Sequence, residues 1–167
     1  MDKKNYTPAP RTMETRAVKL NTGSAKARKS AARLVAVQVL YQMNMNDETA
    51  GSALMDFLDN RNGYEFDGDI FVPADRTMLS DIIHGYNERR DEVDEIVRAQ
   101  LAKKDKTEID PILRAILLAA TFELMAHHDI DPPIIISDYM NVAHAFYEDG
   151  APKMINAILD TVAKSLR

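Results

Sequence analysis

One segment limits the fold more than any other, the one that begins at Asp110-Pro111. Aspartate accepts hydrogen bonds at a helix N-cap, and proline fits the first turn, where its missing N–H is not needed. Beyond it Ile112, Leu113, Ile116, Leu117, Leu118, Leu124 and Met125 make the helix apolar nearly all round. A helix without a polar side has to be surrounded. The chain therefore predicts other helices packed about this one. The apolar stretch Ala115 to Phe122 is too short to cross a bilayer.

The neighbours are legible from their periodicity. Ser24 is an N-cap candidate for a helix to about Met45, with Leu34, Val37, Leu40 and Tyr41 on one face. Further helices are predicted over about Thr49 to Asn60, Ala74 to Tyr86, and Glu88 to Leu101. Pro132-Pro133 opens another, to about Tyr147. Gly150 and Pro152 punctuate the turn into a final helix that points Met154, Ile155, Ile158, Leu159 and Val162 inward. This makes seven helices and no convincing strand, although Ile134-Ile135-Ile136 is β-branched and could be extended for a turn. Residues 61–73 break the pattern, and Tyr64, Phe66, Ile70 and Phe71 suggest a loop packing its own aromatics. Asp67-Gly68-Asp69 lacks the spacing of a calcium loop and reads as a turn. The organisation expected is a disordered basic arm over 1–24 and an all-helical domain over 25–167.

The net charge of −5 conceals an asymmetry. Residues 1–33 carry nine Lys or Arg against Asp2 and Glu14, a net of +7, while the remainder sums to −12. A basic end on an acidic body suits a polyanion at one end and a basic protein elsewhere; a solubilising tail reads equally well. Lys26, Lys29 and Arg33 stand at i, i+3 and i+7, so one helical face is expected to present three cations, with Arg28 nearby. Positive charge at a helix N-terminus opposes the macrodipole, so stability alone would have favoured acids there. Cations in this pattern can track a phosphate backbone.

The first predicted helix also carries a resemblance. Lys29-Ser30-Ala31-Ala32-Arg33-Leu34-Val35-Ala36-Val37-Gln38-Val39-Leu40-Tyr41 is similar to the opening segment of the NusB antitermination factors, a basic run followed by AxQxLY. Asp81-Ile82-Ile83-His84-Gly85 resembles the family's D-L-L-x-G. Arg114 to Leu124 resembles its R-A-I-L-R-x-A-x-Y-E-L helix, and Lys153 to Asp160 its K-F-V-N-G-V-L-D ending. The likeness covers about residues 25–166. It implies an all-α fold of about seven helices in two packed three-helix bundles. It also implies a cytoplasmic transcription antitermination factor, monomer or homodimer, with no cofactor and no metal. The implied partners are boxA RNA of nascent ribosomal transcripts, the ribosomal protein NusE and the transcription elongation complex. The RNA-binding residues it implies are Lys26, Arg28, Lys29, Arg33, Gln38, Tyr41, Lys153 and Asn156. This chain departs from the pattern in a thinned arginine run, Met154 for the aromatic, Leu118 for an arginine, and Ile136-Ser137-Asp138-Tyr139 for I-N-E-A.

Glu123 on so apolar a helix needs a cationic partner or a surface outlet. It reads either as an internal salt bridge or as a contact with the basic partner protein. Tyr41 and Tyr86 read first as half-buried core residues and second as stacking platforms. His127 and His128 are adjacent, point about 100° apart on a helix and cannot chelate as an i,i+4 pair would. HExxH, GxSxG, P-loop and GxGxxG patterns are all missing, and without Cys there is no thiolate site, so catalysis is not expected. One alternative is a stand-alone RNA-targeting domain like that preceding the catalytic part of ribosomal RNA cytosine methyltransferases, which resembles NusB closely; the enzyme itself would need a cofactor-binding α/β domain. A protein-only helical adaptor is the other alternative.

Overall fold

The computed structural model describes residues 23–60, 65–66, 69–70, 72–106, 108–148 and 150–167. Among these the elements are α1 (Ala25–Asn46), α2 (Ala50–Asn60), β1 (Glu65–Phe66), β2 (Asp69–Ile70), α3 (Arg76–Glu88), α4 (Arg90–Lys103), α5 (Pro111–Ala126), α6 (Pro132–Phe146) and α7 (Gly150–Leu166). Seven helices stand where seven were expected. Ile134 to Ile136 lie inside α6, not in an extended turn. The one addition is a two-residue antiparallel pairing, Glu65 opposite Ile70, in the segment read as irregular loop. The expected arm, apart from Gly23 and Ser24, and the side chains of the 61–71 loop lie outside the described residues.

Local chemistry sets the helix starts. Ser24 accepts from the Ala27 amide at 3.0 Å, and Asp110 accepts from that of Ile112 at 3.0 Å with Pro111 in the first turn. The third helix begins at Arg76, not Ala74, because Asp75 is the residue that caps, accepting from Met78 N at 2.9 Å.

Helices α1, α2 and α3 pack on one another, as do α5, α6 and α7, and α4 lies on α3 and α5. The two bundles meet where α5 touches α1 and α3. Every residue of α5 from Ala115 to Met125 is buried, as its unbroken apolarity requires, and each large aliphatic among them contributes about 1.5–3 kcal/mol. Where α3 crosses α5 the approach is close enough to demand glycine. A Cβ on Gly85 would fall 2.2 Å from Cζ of Phe122. Tyr86, expected to be half-buried, is in the core at 1% exposure and donates to Asp94 at 2.8 Å.

Candidate nucleic-acid interface

The basic start of α1 forms one wall of an open groove of about 810 Å³. Lys26 and Lys29 are exposed on that wall, and among the described residues neither has an ion-pair partner. The loop between α5 and α6 and the outer face of α6 form the opposite wall, with Asp129, Asp131, Ser137 and Asn141. Asp131 stands at the N-cap of α6, yet its side chain makes no capping bond. The groove is thus cationic on one side and anionic or neutral on the other. Arg28 is half-buried and donates to the Gly23 carbonyl at 2.8 Å, bracing the first turn.

Arg33 does not extend the strip, which corrects the expectation of three cations on one open face. Its side chain is 4% exposed and points inward. Nε and Nη2 donate to the two oxygens of Glu123 at 2.8 and 3.0 Å, and Nη1 donates to Asp138 at 2.7 Å. The cause is positional. The face shared with Lys26 and Lys29 is open at the first turn of α1 and is covered a turn later by α5 and α6. The second correction concerns Glu123, which is 0% exposed and cannot touch a partner protein. Tyr139 donates to it at 2.6 Å, and His127 Nδ1 lies 2.9 Å from it. His127 Nε2 in turn meets Asp81 at 2.8 Å, and Ser30 donates to Asp138 at 2.9 Å. One polar chain therefore ties α1 and α3 of the first bundle to α5 and α6 of the second.

These neighbours shift one another's acidity. Burial pushes the Glu123 carboxyl up, but His127, Arg33 and Tyr139 outweigh it and hold the group below the usual carboxylate range. Burial pulls Arg33 down, and the Glu123 and Asp138 carboxylates more than restore its charge. The hydrogen bond to Glu123 raises His127 against the effect of burial, with Asp81 adding to it. Burial and the adjacent Glu123 charge keep Tyr139 a neutral donor.

The remaining expected residues separate. Gln38 is exposed, but nine residues on from Lys29 it lies half a turn round and about 13 Å along α1, away from the groove. Tyr41 is half-buried against the core. Lys153 and Asn156 are exposed on α7, and Asn156 lines a second groove between α6 and α7. Pro133 and Ser137 line both grooves, so α6 is the ridge between them.

The family model described as the NusB family matches residues 30–164. The chain belongs to the NusB family. Its relatives include the transcription antitermination protein NusB of Novosphingobium aromaticivorans, 40% identical over 145 residues, which cover 86% of this chain and 97% of that protein. That of Agrobacterium fabrum is 36% identical over 140 residues, covering 83% and 85%. Among solved structures, NusB of T. maritima superposes with a TM-score of 0.66 at 23% identity, covering 84% of this chain and 92% of the other. A structure of antitermination factors NusB and NusE with double-stranded RNA gives 0.69 at 19% identity, covering 85% and 99%. Both likenesses establish the NusB fold.

The NusB-like motifs acquire a physical meaning in this structure. Gly85 admits Phe122, Asp81 meets His127, and Arg33 and Glu123 pair across the bundle junction. What sequence reasoning missed is the far wall of the groove: Asp129, Asp131 and Asn141 carry no motif, and Ser137 was noted only as a departure from I-N-E-A. The one available signal was the N-cap character of Asp131 before Pro132.

Proposed function

We propose that this chain acts as a transcription antitermination factor of the bacterial cytoplasm that binds boxA-type single-stranded RNA together with NusE. The observation that carries the RNA reading is the pair of exposed lysines at the start of α1, without an ion-pair partner among the described residues, lining an open groove of about 810 Å³. Phosphates run along the Lys26 and Lys29 wall, because Asp129 and Asp131 repel them from the other side. Bases then face Ser137 and Asn141, whose neutral polar groups can meet base edges. Arg28 braces this wall. Arg33 serves indirectly by holding α6 beside α1, which sets the groove's width.

With Glu123 buried, NusE docks on exposed acids of the body. Joint binding raises the effective concentration of each weak contact for the other. The assembled complex loads onto the elongating polymerase during ribosomal RNA synthesis. The role is assembly, not catalysis.

The test is a gel shift of boxA-type RNA with the protein, with NusE and with both, using double-stranded RNA as competitor. A ternary complex tighter than either pair is expected, with single strands preferred. Failure to retain RNA at low salt, even with NusE present, would contradict the reading and leave a protein-only adaptor.

A further inference from the structure

The anionic wall of the groove begins where α5 ends. Residues 127–131 lead from α5 into α6, and Asp129 and Asp131 line the groove from this loop. Both are exposed, and among the described residues neither carboxylate has a hydrogen-bond or ion-pair partner. The loop beneath them is nevertheless held from two sides. Arg167, directly after α7, donates from Nε to the Leu124 carbonyl at 2.9 Å and from Nη2 to that of His127 at 2.9 Å. Its Nη1 donates to the Ile130 carbonyl at 3.2 Å. The first of these carbonyls belongs to the last turn of α5, where intrahelical donors run out, and a planar guanidinium suits such a set of acceptors. On the opposite side the His127 ring meets Glu123 and Asp81, and the Ile130 amide closes the turn onto the His127 carbonyl at 3.1 Å. Ile130 lies between the two aspartates, so Arg167 grips the backbone from which both carboxylates issue.

What that wall can do follows from its charge. A single strand can turn its one backbone to Lys26 and Lys29 and keep its phosphates away from the acids. A duplex carries a second backbone, which in this groove meets Asp129 and Asp131. Like charges set opposite one another reject the wrong partner, and selectivity often needs such a repulsive element. The barrier works only while the carboxylates stay in place, since in a loose loop they would swing out into solvent and be screened. We infer that Arg167 is a positioning residue for strand selectivity: by pinning the α5–α6 loop it holds Asp129 and Asp131 against the second backbone of double-stranded RNA. Arg167 itself touches no RNA and acts through the two aspartates. The inference rests on the proposed function and deepens it.

The experiment measures fluorescence anisotropy of the full chain with a boxA-type single strand and with the same sequence as a duplex, across a salt series. In Asp129→Asn/Asp131→Asn the preference for the single strand should fall several-fold, chiefly through tighter duplex binding. Arg167→Met should lower the preference in the same direction. Arg167→Lys, which offers a point charge in place of a planar fork, should restore it only in part. Added to the Asn pair, Arg167→Met should change the preference no further, because its effect runs through the missing carboxylates. Gly85→Ala, which loosens the core elsewhere, should keep the preference and so separates positioning from general stability. An unchanged preference in folded Arg167→Met, or a further fall in the combined variant, would overturn the proposal. So would a single-strand salt slope shallower by about 0.7 in Arg167→Met, which would make Arg167 a phosphate contact. If Arg167→Met does not fold, the Asn pair decides, and an unchanged preference there overturns the barrier. If the unaltered protein binds no single strand, the proposed function fails and this inference with it; if it binds both forms equally, only the inference fails.

Discussion

Lys29 and Arg33 are one helical turn apart on the same face of α1, and they do opposite things. Lys29 is exposed at the groove, unpaired among the described residues, whereas Arg33 is 4% exposed between Glu123 and Asp138. Helical spacing says which face a residue shares. It does not say where along the helix a neighbour covers that face. A cation in the open turn keeps its hydration and can exchange water for a phosphate. A cation in the covered turn has lost its water and depends on the carboxylates around it. The NusB family pattern marks both positions as basic, and the structure divides them into an exposed residue and a buried, structural one.

The same substitution at the two positions breaks the comparison most sharply. Arg33→Met strands Glu123 and Asp138 and should cost about 3 kcal/mol or more in urea denaturation at neutral pH. Lys29→Met should stay within about 0.5 kcal/mol of the unaltered protein. Equal stabilities would mean that the buried network holds nothing together. Next in size is Gly85→Ala, which drives a methyl into Phe122 at the α3–α5 crossing. A loss of about 1–3 kcal/mol is expected, since the ring has to move within a packed core. A neutral result would mean that this seam yields more easily than the network beside it.

The smallest effect concerns His127, which links the network to α3 through Asp81. Its pKa is raised in the fold by Glu123, so the folded state holds the proton more tightly than the unfolded chain. The stabilisation is therefore fully present below about pH 6.5, the unfolded value, and fades as pH rises through the higher folded value. Urea midpoints measured across that window should fall with pH in the unaltered protein. They should fall less in His127→Gln. Parallel profiles would separate the imidazole from the stability of the junction.

Much of the fold could be read without coordinates because its largest physical demand is written along one stretch. Residues 112–125 offer no polar side, so other helices had to be placed about them, and Ser24 and Asp110-Pro111 mark starts that the structure reproduces. The site was less legible. Glu123 advertised the need for a cation, but nothing local to it indicates that the cation sits 90 residues away at Arg33. Nor does any spacing reveal that Asp129 and Asp131 face Lys26 and Lys29 across a groove, since that juxtaposition arises only when α6 crosses α1. Gln38 is exposed and shares a helix with Lys29, but not a side of it.

The most direct measurement is the salt dependence of RNA binding by the unaltered protein and by Lys26→Gln/Lys29→Gln. Two lost phosphate contacts should make the log–log slope shallower by roughly 1.4, with the circular dichroism spectrum and melting temperature unchanged. An unaltered slope in a folded double variant would contradict the account, because no phosphate could then be resting on the open turn of α1.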